Sequence, residues 1–211
     1  LTYSSRAVEL DPLSWLNLTV HAALRYAMGD RKGGWSDMSR VMKLGGSDSF
    51  FALRHKINMA FSDGKIEEAI ESIKALSNSK QVNAIYYNTK DRIDEILPLL
   101  KSREDTLAFL STHRSTGAES SSMDNWATEI FWAAYYGDYE LAAAMLEKGT
   151  LYDEKLGLLD TTWFNYPIIS PLQNTDAYKR MVRRIKLDQF WRENGFPINC
   201  RPLGEDDFAC N

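Results

Sequence analysis

Histidine is scarce in this 211-residue chain, with three in all, and cysteine scarcer, with two. Nucleophilic catalysis needs a serine or cysteine brought to a base and an orienting group. His21, His55 and His113 all lie outside any recognisable motif, and His21, in an apolar helical stretch, reads as a packed histidine. The chain is therefore read as having no catalytic residues and as not an enzyme. A zinc site is disfavoured in the same way, since four ligands are normally needed and no Cys or His pair stands near Cys200 or Cys210 in sequence. Glycine is too dispersed for a phosphate-binding loop, since Gly33-Gly34 and Gly45-Gly46 lack the further glycines of either nucleotide-binding motif, and no cofactor is expected. Positive charge is not in excess, with 25 Lys and Arg against 29 Asp and Glu, a net charge of −4 and a pI near 5.5. That balance opposes direct binding of nucleic acid. No run of about 18 apolar residues exists, so membrane insertion by this chain is not expected.

What is present is enough apolar and aromatic residue, 44% and 12%, to bury a continuous core. It is arranged in repeats. Gly29 and Gly64 lie 35 residues apart, and Gly137 follows 73 later, about two further periods. Before Gly64 the stretch Phe50–Phe61 carries Leu53, Ile57 and Ala60 on one helical face; after it Ile66–Leu76 carries Ala69, Ile73 and Leu76. Around Gly137 the same rhythm returns in Trp126, Ile130 and Ala133, then Ala142 and Leu146. Each is a predicted helix hairpin in which the glycine takes the left-handed turn and an alanine five residues on admits a close second helix. Ala7 to Pro12 reads as the end of a second helix stopped by an Asp-Pro turn, and with Leu1 opening in mid-repeat the chain is expected to be part of a longer protein.

These spacings resemble the tetratricopeptide repeat. In that family a large residue stands eleven before the turn glycine, small residues stand seven before and five after it, and a proline closes the repeat. Trp126, Gly137 and Ala142 follow this pattern, as do Ala7 and Pro12. Ile57 and Ile130 depart from it, standing where the family has Gly or Ala, and Arg31–Gly34 reads as a lengthened turn after Gly29. The expected fold is an all-α superhelix of helical hairpins over 1–158, degenerate over 80–120, closed by an aromatic-rich cap over 159–211 within the same domain. Within the first part, Ile93, Ile96, Leu97, Leu100, Leu107 and Leu110 keep a helical rhythm without a turn glycine, and Thr116–Ser122 reads as a loop before a helix capped by Asp124. In the cap, Thr175 is expected to start a helix bearing Tyr178, Met181, Val182 and Ile185, and a second helix with Leu187, Phe190 and Trp191 to stop at Asn194-Gly195.

The tail Tyr178-Lys-Arg-Met-Val, Phe190-Trp191-Arg-Glu-Asn-Gly195-Phe-Pro197, Cys200-Arg-Pro and Asp207-Phe208-Ala-Cys210 is similar to the C-terminal end of bacterial multidomain signalling proteins. There a tetratricopeptide-like region follows a winged-helix DNA-binding domain or a class III nucleotidyl cyclase. The resemblance implies a binding or scaffolding module of a transcriptional regulator or cyclase, its partner a protein, a peptide or an upstream domain of the same chain. The family's groove positions map onto Phe51, Arg54, His55 and Asn58, where Arg54 would pair a carboxylate and Asn58 a peptide amide. The competing reading is a small-ligand sensor walled by the aromatics of Trp163–Tyr166. The basic stretch Lys179, Arg180, Arg183, Arg184 and Lys186 reads as the polar side of an amphipathic helix. The two cysteines leave a disulfide-closed loop and a pair of free thiols both open, with free thiols and the cytoplasm preferred, and the periplasm the alternative given an upstream anchor.

Overall fold

The computed structural model describes residues 1–79, 94–95, 97–115, 123–152, 166–197 and 199–210. The fold is all-α apart from one small hairpin. It divides into two compact units: Leu1–Phe109 with Thr162–Pro167, and Leu110–Thr161 with Ile168–Asn211.

The first unit contains α1 (Thr2–Leu10), α2 (Trp15–Ala27), α3 (Arg31–Lys43), a 3-10 turn at Gly46–Asp48, α4 (Phe50–Ser62) and α5 (Ile66–Asn78). Serine or aspartate starts three of these helices: the side chains of Ser14, Asp30 and Ser49 accept from the backbone N–H groups of Asn17, Gly33 and Ala52. The three turn glycines behave as their spacing requires. Gly29, Gly64 and Gly137 have φ of 93°, 70° and 78°. In each case the following residue's N–H returns five residues to a helix carbonyl: Asp30 to Arg25, Lys65 to Ala60 and Asp138 to Ala133. The glycine N–H bonds the carbonyl three residues back. This double bond pattern satisfies carbonyls that a helix end otherwise leaves open. Leu18, Ala22, Met38, Val41, Leu53, Ile57, Phe61, Ala69 and Ile73 form the core.

Arg31–Gly34 is not a lengthened turn. It is the first turn of α3, and the paired glycines serve contact between helices: a Cβ on Gly34 would stand 2.9 Å from both the Ala22 carbonyl oxygen and Tyr26 Cβ.

Of the stretch expected to be degenerate, 80–93, 96 and 116–120 lie outside the described residues, as does the whole loop expected over Thr116–Ser122. Residues 97–101 form a turn and α6 (Arg103–Ser115) follows, with Leu100 and Leu110 buried. The division between the units falls within α6.

The second unit holds α7 (Met123–Tyr135) and α8 (Tyr139–Tyr152), packed together, with Ile130, Phe131, Ala142 and Leu146 buried. α7 begins at Met123, so Asp124, expected at the helix start, falls within the helix. A 3-10 segment, Pro167–Asn174, leads to α9 (Asp176–Arg184), which packs on α8. As expected, the Thr175 hydroxyl caps α9 by accepting from Tyr178 N, and Tyr178, Met181 and Val182 are buried. The next helix, α10 (Leu187–Asn194), stops at Gly195, φ 101°.

The last residues make an antiparallel hairpin of β1 (Cys200–Leu203) and β2 (Asp207–Cys210), where the sequence pattern marks no strands. Cys200 and Cys210 face each other across its open end and are joined by a disulfide. The preference for free thiols is thereby corrected: register places the two sulfurs opposite one another.

Candidate functional site

The four residues expected to line a groove do share one region of α4, but it is not an open face. Arg54, His55 and Asn58 are 8%, 2% and 1% exposed, and Phe51 is half-buried. The Arg54 guanidinium lies 5.8 Å from the Phe50 ring centre and 5.6 Å from that of Phe51. Phe51 meets the His55 ring edge-on at 4.7 Å. Asn58 Oδ1 is buried without a hydrogen-bond partner among the described residues.

What covers His55 is Tyr166, a residue 111 positions later in the chain and fully buried in this unit. Its hydroxyl lies 3.5 Å from His55 Nδ1. Its ring packs edge-on against Tyr26 of α2 at 4.9 Å. Two consecutive hairpins thus each offer a residue from their first helix to one aromatic side chain. Of the aromatics expected to wall a sensor pocket, Trp163 and Phe164 lie outside the described residues and Tyr166 is the one placed.

Tyr26 is itself fixed from the other end. Its hydroxyl donates to Asp63 Oδ1 at 2.6 Å, and Trp35 Nε1 donates to Asp63 Oδ2 at 2.7 Å. Arg31 and Lys65 stand 3.6 and 3.7 Å from the same carboxylate. Burial first, and then the Asp63 carboxylate, push the Tyr26 phenol well above the ordinary tyrosine range.

A second constellation was not anticipated. Ser5 of α1, His21 of α2 and Asp37 of α3 form a chain of contacts: Ser5 Oγ lies 3.2 Å from His21 Nε2, and His21 Nδ1 lies 3.0 Å from Asp37 Oδ2. Asp37 is 5% exposed and also receives Arg25 Nη1 at 2.9 Å. Arg25 in turn donates from Nε to Asp30 at 2.8 Å. No local motif marks the three residues. The only signal is a repeated spacing of 16, which brings successive helices of an up-and-down array to one level.

Lys179, Arg180, Arg183 and Arg184 of the basic stretch make internal contacts in the second unit. Lys179 and Arg183 bind the two oxygens of Asp207 at 2.9 and 2.8 Å, Arg180 binds Glu147 through two bonds at 2.8 and 2.9 Å, and Arg184 donates to the Glu147 carbonyl at 3.0 Å. The Lys179 ammonium, with the Phe208 N–H, holds the Asp207 carboxyl below the usual carboxylate range. Arg192 donates to the carbonyls of Gly204 and Asp207, and Phe208 packs edge-on against Trp191 at 5.4 Å. Lys179, Arg183 and Arg192 clamp the hairpin to α9 and α10, while Arg180 and Arg184 tie α9 to α8.

Among the described residues no group of three metal-ligating side chains occurs, and no helix is long and apolar enough to cross a membrane. No family model, no curated protein and no solved structure matches the chain.

Proposed function

We propose that the chain is a helical-repeat binding module that takes an aromatic-bearing peptide or protein segment on the face made by α2 and α4, working by complementarity. The observation that carries this reading is the seat of Tyr166 between Tyr26 and His55. A surface that already receives an aromatic side chain from a distant part of its own chain has the shape and the polar handle to receive one from a partner. Self-occupancy then sets the cost of binding, because an incoming segment competes with Tyr166. The resemblance to bacterial regulators and cyclases suggests that the partner is a peptide, a protein, or an upstream domain of the same polypeptide. A superhelix of tetratricopeptide-like hairpins is the arrangement that would carry such a face, supported by the three identical glycine turns.

The test is a peptide-library binding titration with the unaltered chain, Tyr166→Ala, and Tyr166→Ala combined with Arg54→Ala. Tighter binding of aromatic peptides by Tyr166→Ala is the expected result, and loss on adding Arg54→Ala would extend it to peptides that present a carboxylate. A folded Tyr166→Ala variant that binds none of the peptides would refute the reading.

The small-ligand reading has one observation in its favour, the buried Asn58 Oδ1 with no hydrogen-bond partner among the described residues. A buried acceptor left unmatched costs about 1–3 kcal/mol, which a ligand N–H or O–H would recover. A metabolite that stabilises the chain and loses its effect in Asn58→Leu would favour it.

For compartment, the disulfide supports an oxidising location such as the periplasm over the cytoplasm.

A further inference from the structure

We propose that Ser5 is a nucleophile activated by His21 and Asp37, reactive toward activated carboxylic esters, using side chains other than those of the α2–α4 aromatic seat. This goes beyond the sequence reading, in which no histidine carries chemistry. The order of contacts is the one that proton transfer requires. A carboxylate can only accept, so a neutral imidazole at His21 presents Nδ1–H to Asp37 and keeps a lone pair on Nε2. That lone pair faces Ser5 Oγ at 3.2 Å, the outer edge of hydrogen-bond reach for an unliganded site.

The orienting end is rigid. Arg25 holds the same Asp37 oxygen that His21 uses, Arg40 approaches the other at 3.5 Å, and Asp30 braces Arg25. Gly33 makes this possible, because a Cβ there would fall on the Arg25 guanidinium. The reacting end is open: Ser5 is only half-buried, so a reagent can reach it. Sharing Asp37 with a guanidinium dilutes the negative charge available to His21, so the serine should react more slowly than one whose carboxylate serves the histidine alone.

In the step itself the Ser5 Oγ–C bond forms at the ester carbonyl as the bond from carbon to the leaving oxygen breaks. The hydroxyl proton moves to His21 Nε2 and from there to the departing alkoxide or phenoxide. Water, deprotonated by the same nitrogen, then releases the carboxylic acid and restores Ser5.

A polar staple between three helices would show the same distances without the reactivity, so the test must read reactivity at one atom. The full chain is incubated with an alkyl fluorophosphonate, which forms an Oγ–P bond with loss of fluoride, and the adduct is mapped by peptide mass spectrometry. The expected result is an adduct on Ser5, with p-nitrophenyl acetate hydrolysis that disappears in Ser5→Ala. Asp37→Asn, which turns the imidazole to the wrong tautomer, and His21→Gln should each slow labelling by about tenfold or more. Circular dichroism and thermal melting identify variants that remain folded, and Ser5→Ala, at a half-buried position, provides the folded control. No adduct on Ser5 of the folded chain, or labelling unchanged by a folded His21→Gln variant, would overturn the proposal.

Discussion

The Tyr26 hydroxyl donates to the Asp63 carboxylate at 2.6 Å, tying the first helix of one hairpin to the end of the first helix of the next. Trp35 of α3 donates to the other oxygen at 2.7 Å, so both helices of the α2–α3 hairpin end on one carboxylate of α4's terminus. Asp63→Ala leaves the buried Tyr26 phenol with only the longer contact to the Met59 carbonyl at 3.4 Å and removes the acceptor of the Trp35 indole N–H. The expected loss is about 2–4 kcal/mol, read from urea unfolding, and Asp63→Asn should lose less because one acceptor oxygen remains. Equal losses for the two variants would mean that the charge, with Arg31 and Lys65 nearby, outweighs the hydrogen bonds.

Alkaline stability should follow from the buried phenols. Burial raises both Tyr26 and Tyr178, with Asp63 adding to the rise at Tyr26. The unfolded chain releases these protons near about pH 10 while the folded chain retains them, so above that pH the unfolded state binds fewer protons. Stability is then fully present below about pH 10 and declines as pH rises further. Compared with the unaltered chain between pH 8 and 11, Tyr178→Phe should show a shallower fall in its urea midpoint. A parallel fall would place the proton release elsewhere.

Gly34 and Gly29 should fail for different reasons, and asparagine tells them apart. At Gly34 any side chain meets the Ala22 carbonyl and Tyr26, so alanine costs about 1–3 kcal/mol and asparagine more. At Gly29 a Cβ meets nothing within 4 Å, but φ is 93°, so alanine is strained and asparagine, which tolerates left-handed backbone better, is the milder change. Thermal melts of the four variants check the opposite ordering.

Reduction should loosen the C-terminal hairpin without dissolving the unit around it. Opening a cross-link ten residues in span removes at most about 3 kcal/mol of stabilisation. Lys179, Arg183 and Arg192 still hold the hairpin. A melting temperature lowered by dithiothreitol in the unaltered chain, and already low and insensitive to it in Cys200→Ser, is the expected pattern.

Much of the fold was legible because it is written locally. A glycine that must turn left-handed, an alanine five positions on, and Ser or Thr at a helix start act through neighbours in sequence, and Gly29, Gly64, Gly137 and Thr175 all took the predicted roles. Contacts that depend on distant chain were not legible. Nothing beside Tyr166 signals that it will pack on Tyr26 and His55, and nothing near Ser5 announces His21 or Asp37. Gly33-Gly34 was misread because a glycine pair signals a turn by default, whereas here the missing side chains allow α3 to lie close on α2. The hairpin escaped notice because two four-residue strands are too short to show alternation, and their pairing is held by cations from α9 and α10.

The cross-link between Cys200 and Cys210 also simplifies the route by which the chain is made. With two cysteines in the sequence there is one possible intramolecular pairing, so oxidative refolding has no isomers to sort and needs no shuffling. Once that bond closes, no thiol remains to attack a neighbour, and concentrated protein lacks the commonest covalent path to aggregates.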